Sequence, residues 1–417
     1  MKQEDQGMNA IDQSFFDVIY DRRNTGAIKY DVHPETSYCG EVIPMWIADM
    51  DFKSPPAVDS ELLAQIRHGI FGYTEAGEDY DRAVAAWYQT QFGWNVRTEW
   101  LIRVPGVMFA VAAALRALTS PGDSVLICQP VYFPFANVIQ ANNRNLVVSE
   151  LILHGGRYEI DFTDLEEKIR TNAVKVFLFC SPHNPVGRVW TREELTEIGR
   201  ICRRHDVAVI SDEIHSDFVF SDHPHIPIAS LDEELARRTV TCTAPSKTFN
   251  LAGLQAGNII IPDAALRRRV RRECLATGYG QPNTLAIAAT KAAYLHGKPW
   301  LDALLDYLRQ NYSLLAHAFP PGGRISLIPP EGTYLAWLDC RRLGLSDSAL
   351  QAFFLNQAGV QPHFGAAFGA GGSGFVRLNI ACPRSVLAQA IDRICQAVRE
   401  LSAPDADSFF CGQGGKK

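Results

Sequence analysis

No stretch of this 417-residue chain approaches the roughly 18 apolar residues that a membrane-spanning helix needs, so the membrane is set aside as a partner. No basic arm or run stands out either. The 46 acidic and 40 basic residues are scattered to a net charge of −6, which argues against nucleic acid. The N-terminus, MKQEDQGMNA, lacks the apolar segment of a secretory signal, and a cytoplasmic chain is expected. Ten cysteines are present, but none is spaced like a zinc ligand pair, so no metal is assigned. Cys128, Cys180 and Cys242 end apolar runs and read as small buried hydrophobes, not as a disulfide framework. No internal repeat is visible.

What is there is a globular composition, 47% hydrophobic and 21% charged. A single core rarely grows beyond about 250–300 residues, so two or three domain-sized units are expected. Apolar runs at 101–104, 124–129, 175–180, 207–211, 239–243 and 257–261 predict strands. Residues 107–118 and 192–205 predict helices between them, the second with Thr191 as N-cap and Glu194 as its capping-box partner. This alternation predicts a mostly parallel sheet covered on both faces. Past residue 285 the pattern changes. A helical stretch over 285–318, broken at His296-Gly297-Lys298-Pro299, leads to strands at 333–338 and 375–380 and helices near 346–358 and 385–401. A smaller α+β domain joined through the long helix is expected. The tail from Ser402 is too poor in apolar residues to pack and is expected to fray.

Three polar residues fall just past apolar strands: Asn184 in Ser-Pro-His-Asn-Pro, Asp212 in Ile-Ser-Asp-Glu-Ile-His, and Lys247 in Ser-Lys-Thr-Phe-Asn. A lone loop lysine is ordinarily a solvated surface group. Ligands in open α/β sheets, however, collect beyond the carboxyl ends of strands, where these three side chains can converge. Such a set suits pyridoxal phosphate (PLP): an amine for its aldehyde, a carboxylate for its pyridine nitrogen and a neutral donor for its phenolate oxygen. Pro105-Gly106-Val107-Met108, opening an apolar helix, supplies backbone N–H groups for a phosphate.

These motifs, with Pro44-Met45-Trp46-Ile47-Ala48-Asp49-Met50-Asp51-Phe52, Gly72-Tyr73-Thr74, Glu331-Gly332-Thr333-Tyr334-Leu335-Ala336-Trp337 and Val376-Arg377-Leu378-Asn379-Ile380, carry a resemblance. The chain resembles PLP enzymes of fold type I in the class I/II aminotransferase superfamily, and within it the MalY/PatB-like cystathionine β-lyases and C–S lyases. The likeness runs from Phe16 to about Arg399, and the Trp46–Phe52 run is its most branch-specific part. The resemblance implies an α/β large domain built on a mostly parallel seven-stranded sheet, spanning 53–290. It implies a smaller α+β domain made of 1–52 and 291–401, with 402–417 as a flexible tail.

The resemblance also implies the roles. Lys247, Asp212 and Tyr132 form the catalytic set: Lys247 holds PLP, Asp212 pairs with the ring nitrogen, and Tyr132 stacks on the ring. Asn184 donates to the phenolate oxygen, and His215 stands beside it in support. Gly106, Val107, Met108 and Ser246 go to the phosphate, joined by Tyr73 from a neighbouring copy, so that a homodimer shares its active sites. Arg377 clamps the substrate α-carboxylate, with Trp46 and Asn184 also on the substrate. Two departures stand out: Ala244 replaces a serine found in many relatives, and Gln255 replaces an arginine that aminotransferases direct at the phosphate. The implied reaction is α,β-elimination from L-cystathionine or a related L-cysteine S-conjugate to a thiol, pyruvate and ammonia. Transamination between an amino acid and a 2-oxo acid is the competing expectation, and a PLP-holding regulatory binding protein is a third.

Overall fold

The computed structural model describes residues 11–401, apart from Ser221 and His223. The expected tail at 402–417 lies outside the described residues. The largest element is an eight-stranded mixed sheet, built from β1 (Leu101–Val104), β2 (Ser124–Gln129), β3 (Asn145–His154), β4 (Arg157–Ile160), β5 (Val176–Cys180), β6 (Ala208–Asp212), β7 (Thr239–Thr243) and β8 (Gly257–Ile260). Its order is β1-β8-β7-β6-β5-β2-β3-β4. The sheet thus has eight strands where seven were expected. The β3–β4 hairpin, pairing Leu151 with Ile160, extends one edge. Its first strand alternates buried and exposed residues and leaves no continuous apolar run to find.

The central pairings β3–β2–β5–β6–β7 are parallel, and those of β7–β8, β8–β1 and β3–β4 are antiparallel. Every residue of β5 is buried, as befits a parallel strand covered on both faces. Two antiparallel steps across β8 bring β1 back to the direction of β7. The loops after β1, β2, β5, β6 and β7 therefore all open on one edge of the sheet, where the start of β8 also lies.

Helix α1 (Pro56–His68) and helix α2 (Gly77–Phe92) precede the sheet, and α3 (Val107–Leu118) follows β1. Alanine-rich α3 packs closely on β6, β7 and β8. Helix α4 (Arg192–Arg204) begins with the expected capping box between Thr191 and Glu194. Helix α5 (Ala264–Ala276) holds Arg267, Arg268, Arg269, Arg271 and Arg272, a basic run where none was expected. Three of them are structural: Arg267 donates to the Ile261 and Pro262 carbonyls, Arg269 to that of Ala117 and Arg271 to that of Leu101.

Helices α6 (Thr284–His296) and α7 (Lys298–Ala318) realise the long stretch with its break at Gly297. A second, antiparallel sheet follows, of β9 (Ser326–Leu327), β10 (Leu335–Asp339), β11 (His363–Phe364) and β12 (Phe375–Asn379) in the order β9-β10-β12-β11. Helix α8 (Arg384–Glu400) closes the described chain. The expected helix near 346–358 is an α-helix at Asp347–Ala352 continued by a π-helical turn at Phe353–Ala358. Ile43–Pro44 pairs in parallel with Val360–Gln361, which ties the N-terminal segment to the C-terminal unit. Among the described residues no helix is long and apolar enough to cross a membrane. Seven of the nine described cysteines are buried, including Cys128, Cys180 and Cys242.

Of the contacts that join the two sheets' units, two bear on the site. The Glu331 carboxylate, on the approach to β10, accepts from Arg157 Nε and Arg188 Nε at 2.8 Å each and from Val189 N at 2.9 Å. The second link is the segment Trp46–Phe52, held almost residue by residue. Its carbonyls accept from Arg377 (Trp46), Asn379 (Ile47 and Asp49), Lys247 and Tyr334 (Ala48), and Asn250 (Met50 and Phe52).

Candidate active site

Parallel register places the chemistry. Cys180, Asp212 and Cys242 lie side by side across β5, β6 and β7, so the loops carrying Asn184 and Lys247 start flush with the Asp212 carboxylate. Cys180, Asn184, Asp212 and Lys247 line a cavity of about 350 Å³ between the open edge of the large sheet and the small sheet. From the turn after β1 and the start of α3 come Gly106, Val107 and Met108, and from the loop after β2 comes Tyr132. His215 follows β6, while Ser246 and Lys247 sit in the one-turn helix Pro245–Thr248 after β7. Trp46 and Arg377 complete the wall from the N-terminal segment and β12. All the expected cavity residues but one are thus brought together. Tyr73 is elsewhere: fully exposed, it lines a separate groove with Phe71, the 280–283 loop and the start of α6.

Lys247 Nζ donates to the Ala48 carbonyl at 2.5 Å, and the Tyr334 hydroxyl donates to the same oxygen at 2.9 Å. Loss of solvent pulls the lysine pKa from 10.5 down to about 8; Asp49 and Asp212 oppose the shift and Arg377 adds to it. Asp212, 4% exposed, accepts from Ile214 N at 3.1 Å. Burial lifts its pKa to about 7, with Glu213 adding to the rise and Lys247 opposing it. Arg377, 3% exposed, gives one Nη to Asn184 Oδ1 at 2.9 Å and the other to the Trp46 carbonyl at 2.7 Å, while its Nε has no hydrogen-bond partner among the described residues. Burial lowers even this guanidinium to about 10. His215 is held neutral, its pKa drawn to about 3 by burial and by the charges of Lys247 and Arg377, and its Nδ1 has no partner among the described residues.

At the other end of the cavity, α3 starts at Gly106 without a side-chain cap, so its leading N–H groups face the open space. Gly257 backs this turn so closely that a Cβ there would lie 3.1 Å from Gly106 Cα and 3.2 Å from the Thr243 carbonyl. Ala244 is buried at the N-cap of the lysine turn and offers no hydroxyl, whereas Gln255 lines the cavity.

Pyridoxal phosphate meets this donor set well. An uncapped helix start suits its phosphate, and a buried carboxylate that resists ionising alone suits a cationic ring nitrogen. A desolvated amine suits its aldehyde. The orphaned Arg377 Nε and His215 Nδ1 are buried polar atoms that a bound molecule could satisfy.

Sequence reasoning missed His363 and Phe133 on the cavity wall, as well as the backbone of Ile47 and Ala48. His363 opens a two-residue strand, too short to show any periodicity, and only its pairing with Arg377 brings it to the site. Phe133 directly follows Tyr132 in the chain, so its nearness to that residue was the available signal.

Comparison with known proteins agrees with this architecture. Residues 41–394 match the model of the family "aminotransferase class I and II". The chain is 41% identical to cystathionine beta-lyase PatB of Bacillus subtilis over 92% of this chain and 99% of that protein. It is 34% identical to protein MalY of Escherichia coli over 93% of this chain and 99% of that one. Its fold matches the crystal structure of Treponema denticola cystalysin, which contains a pyridoxal 5'-phosphate cofactor, with a TM-score of 0.89 and 38% identity, covering 93% and 99% of the two chains. The family match takes in both sheets and every cavity residue named above, and the chain belongs to the class I and II aminotransferase family.

Proposed function

We propose that this protein is a pyridoxal-phosphate-dependent carbon–sulfur β-lyase that cleaves L-cysteine S-conjugates such as cystathionine to a thiol, pyruvate and ammonia. The observation that carries the proposal is the Lys247 amine, brought to a pKa of about 8 in one cavity with Asp212 and Arg377. The PatB relative supports elimination over transamination, and the cystalysin match supports the cofactor. When bound, the cofactor supplies an electron sink for the bond broken at the substrate Cα.

The residues divide the remaining work. Lys247 is the amine that would hold the cofactor and, once freed by the substrate, take the Cα proton as a neutral base. Its depressed pKa keeps a useful fraction unprotonated near neutrality. Asp212 would keep the ring nitrogen protonated, and that cation would in turn stabilise the carboxylate against the burial that raises its pKa. Arg377 and Asn184, already hydrogen-bonded to each other, would orient the substrate carboxylate and the phenolate oxygen. Tyr132 would cover one ring face, while Trp46 bounds the substrate. Gly106, Val107, Met108 and Ser246 would hold the phosphate, with His215 a neutral neighbour of the ring. Tyr73 would serve the site of a second copy, in a homodimer.

The test is pyruvate release from L-cystathionine by PLP-loaded enzyme with no 2-oxo acid added. Turnover that requires a 2-oxo acid would establish transamination instead.

A further inference from the structure

His363 stands directly opposite Arg377 across the β11–β12 ladder. Paired residues of neighbouring strands share a sheet face, and both side chains reach the cavity. The imidazole packs against Phe133, with ring centroids 5.2 Å apart, and against Phe368 at 4.9 Å. The Arg377 guanidinium lies over the same Phe368 ring at 5.1 Å. Both side chains also address one acceptor: Arg377 Nη2 donates to the Trp46 carbonyl at 2.7 Å, and the His363 ring faces that carbonyl. The other Nη of Arg377 is committed to Asn184. The guanidinium therefore cannot offer its full fork to a newcomer.

We propose that His363 is a second recognition residue for the substrate α-carboxylate, donating to it beside Arg377. The inference rests on the reading of Arg377 as the carboxylate clamp. A carboxylate displacing the Trp46 carbonyl meets donors from two adjacent strands, which fixes its plane better than a partly occupied guanidinium alone. Burial and Arg377 hold the imidazole neutral, with a pKa near 4 that the Trp46 carbonyl opposes, and a neutral imidazole still donates through its protonated nitrogen.

The experiment compares PLP-loaded wild type, His363→Phe, which keeps the ring packing, and His363→Asn, which keeps a donor. Thiol release is followed from S-methyl-L-cysteine and from its carboxamide. His363→Phe is expected to raise KM for the acid about tenfold with kcat within about twofold, and to leave KM for the amide unchanged, as loss of one hydrogen bond to a charged group requires. His363→Asn should recover part of the loss. An unchanged KM for the acid, or an equal rise for acid and amide, overturns the proposal. Dissociation constants of L-alanine and L-alaninamide, read from the visible absorbance of the bound cofactor, should show the same contrast without any elimination. Wild-type enzyme that binds L-alanine yet releases no thiol refutes the lyase reading alone, and the L-alanine contrast then decides on His363. An Arg377→Lys variant with unaltered L-alanine affinity refutes the clamp and the proposal with it.

Discussion

The Nζ of Lys247 lies 2.5 Å from the carbonyl oxygen of Ala48, 199 residues earlier in the chain. The contact ties the end of a core strand to a segment that Asn250, three residues after the lysine, holds by the Met50 and Phe52 carbonyls. Asn250 adopts φ of 57°, a left-handed conformation that asparagine tolerates, and so turns its amide toward that segment. The amine is thus placed and desolvated by the same few residues.

The depressed pKa of Lys247 sets the pH at which the cofactor-free protein captures PLP. Only the neutral amine attacks an aldehyde. The rate of appearance of the visible absorbance band should therefore fall about tenfold per pH unit below pH 8 and level off above it. A rate that still climbs beyond pH 9.5 would return the lysine to its ordinary range. Lys247→Ala should show no borohydride-trapped adduct at any pH.

Asp212 has a raised pKa in the folded, cofactor-free protein, so the native state binds its proton more tightly than the unfolded state does. Its contribution to stability is whole below pH 4 and is lost as pH rises toward 7. Asp212→Asn, neutral throughout, should be more stable than wild type at pH 8 by at most about 4 kcal/mol, and indistinguishable at pH 3.5. Urea titrations of both cofactor-free proteins measure the difference. The same substitution should remove lyase turnover.

Arg377→Lys keeps a positive charge but loses the planar fork that reaches Asn184 and the Trp46 carbonyl together. KM for S-methyl-L-cysteine should rise by about 10- to 100-fold. Wild-type steady-state kinetics in this variant would remove Arg377 from substrate binding.

Glu331→Gln removes one inter-unit ion pair, leaving Arg188, which is 2% exposed, with Glu194 as its one carboxylate partner beside the Tyr158 carbonyl. A cost of about 2–3 kcal/mol is expected in chemical denaturation, because a buried guanidinium loses one of its two carboxylates. Unchanged stability would show that the link is dispensable.

Tyr73 projects from a surface that also exposes Ile66, Ile70 and Phe71. If its hydroxyl serves a neighbouring copy, inactive Lys247→Ala and Tyr73→Phe proteins should complement when refolded together. Random pairing would restore about a quarter of the wild-type sites. Mixtures no more active than the sum of their parts would place Tyr73 outside the chemistry.

Much of the large sheet was legible because parallel strands buried on both faces are nearly continuous apolar runs. The strands at 124–129 and 239–243 appear at the predicted residues, as do the antiparallel edge strand at 101–104 and helix 107–118. Thr191 and Glu194 were readable because a capping box is a local, four-residue bargain between side chain and backbone. The β3–β4 hairpin and the two-residue strands β9 and β11 were not. One is half-exposed, and the others are too short for any period to register.

Local chemistry written in the chain determined the residue types at the strand ends: an amine at 247, a carboxylate at 212, an amide at 184 and an uncapped glycine turn at 106. Such signals depend on neighbours a few positions away, and so survive without a fold. Only the tertiary structure decided that Ala48, Tyr334 and His363 join them, because β-ladder register and backbone carbonyls have no signature in side-chain order. It also decided the charge states. Whether an amine loses its proton near pH 8, or a carboxyl keeps one near 7, depends on how much water the surrounding elements exclude, and that is a property of packing.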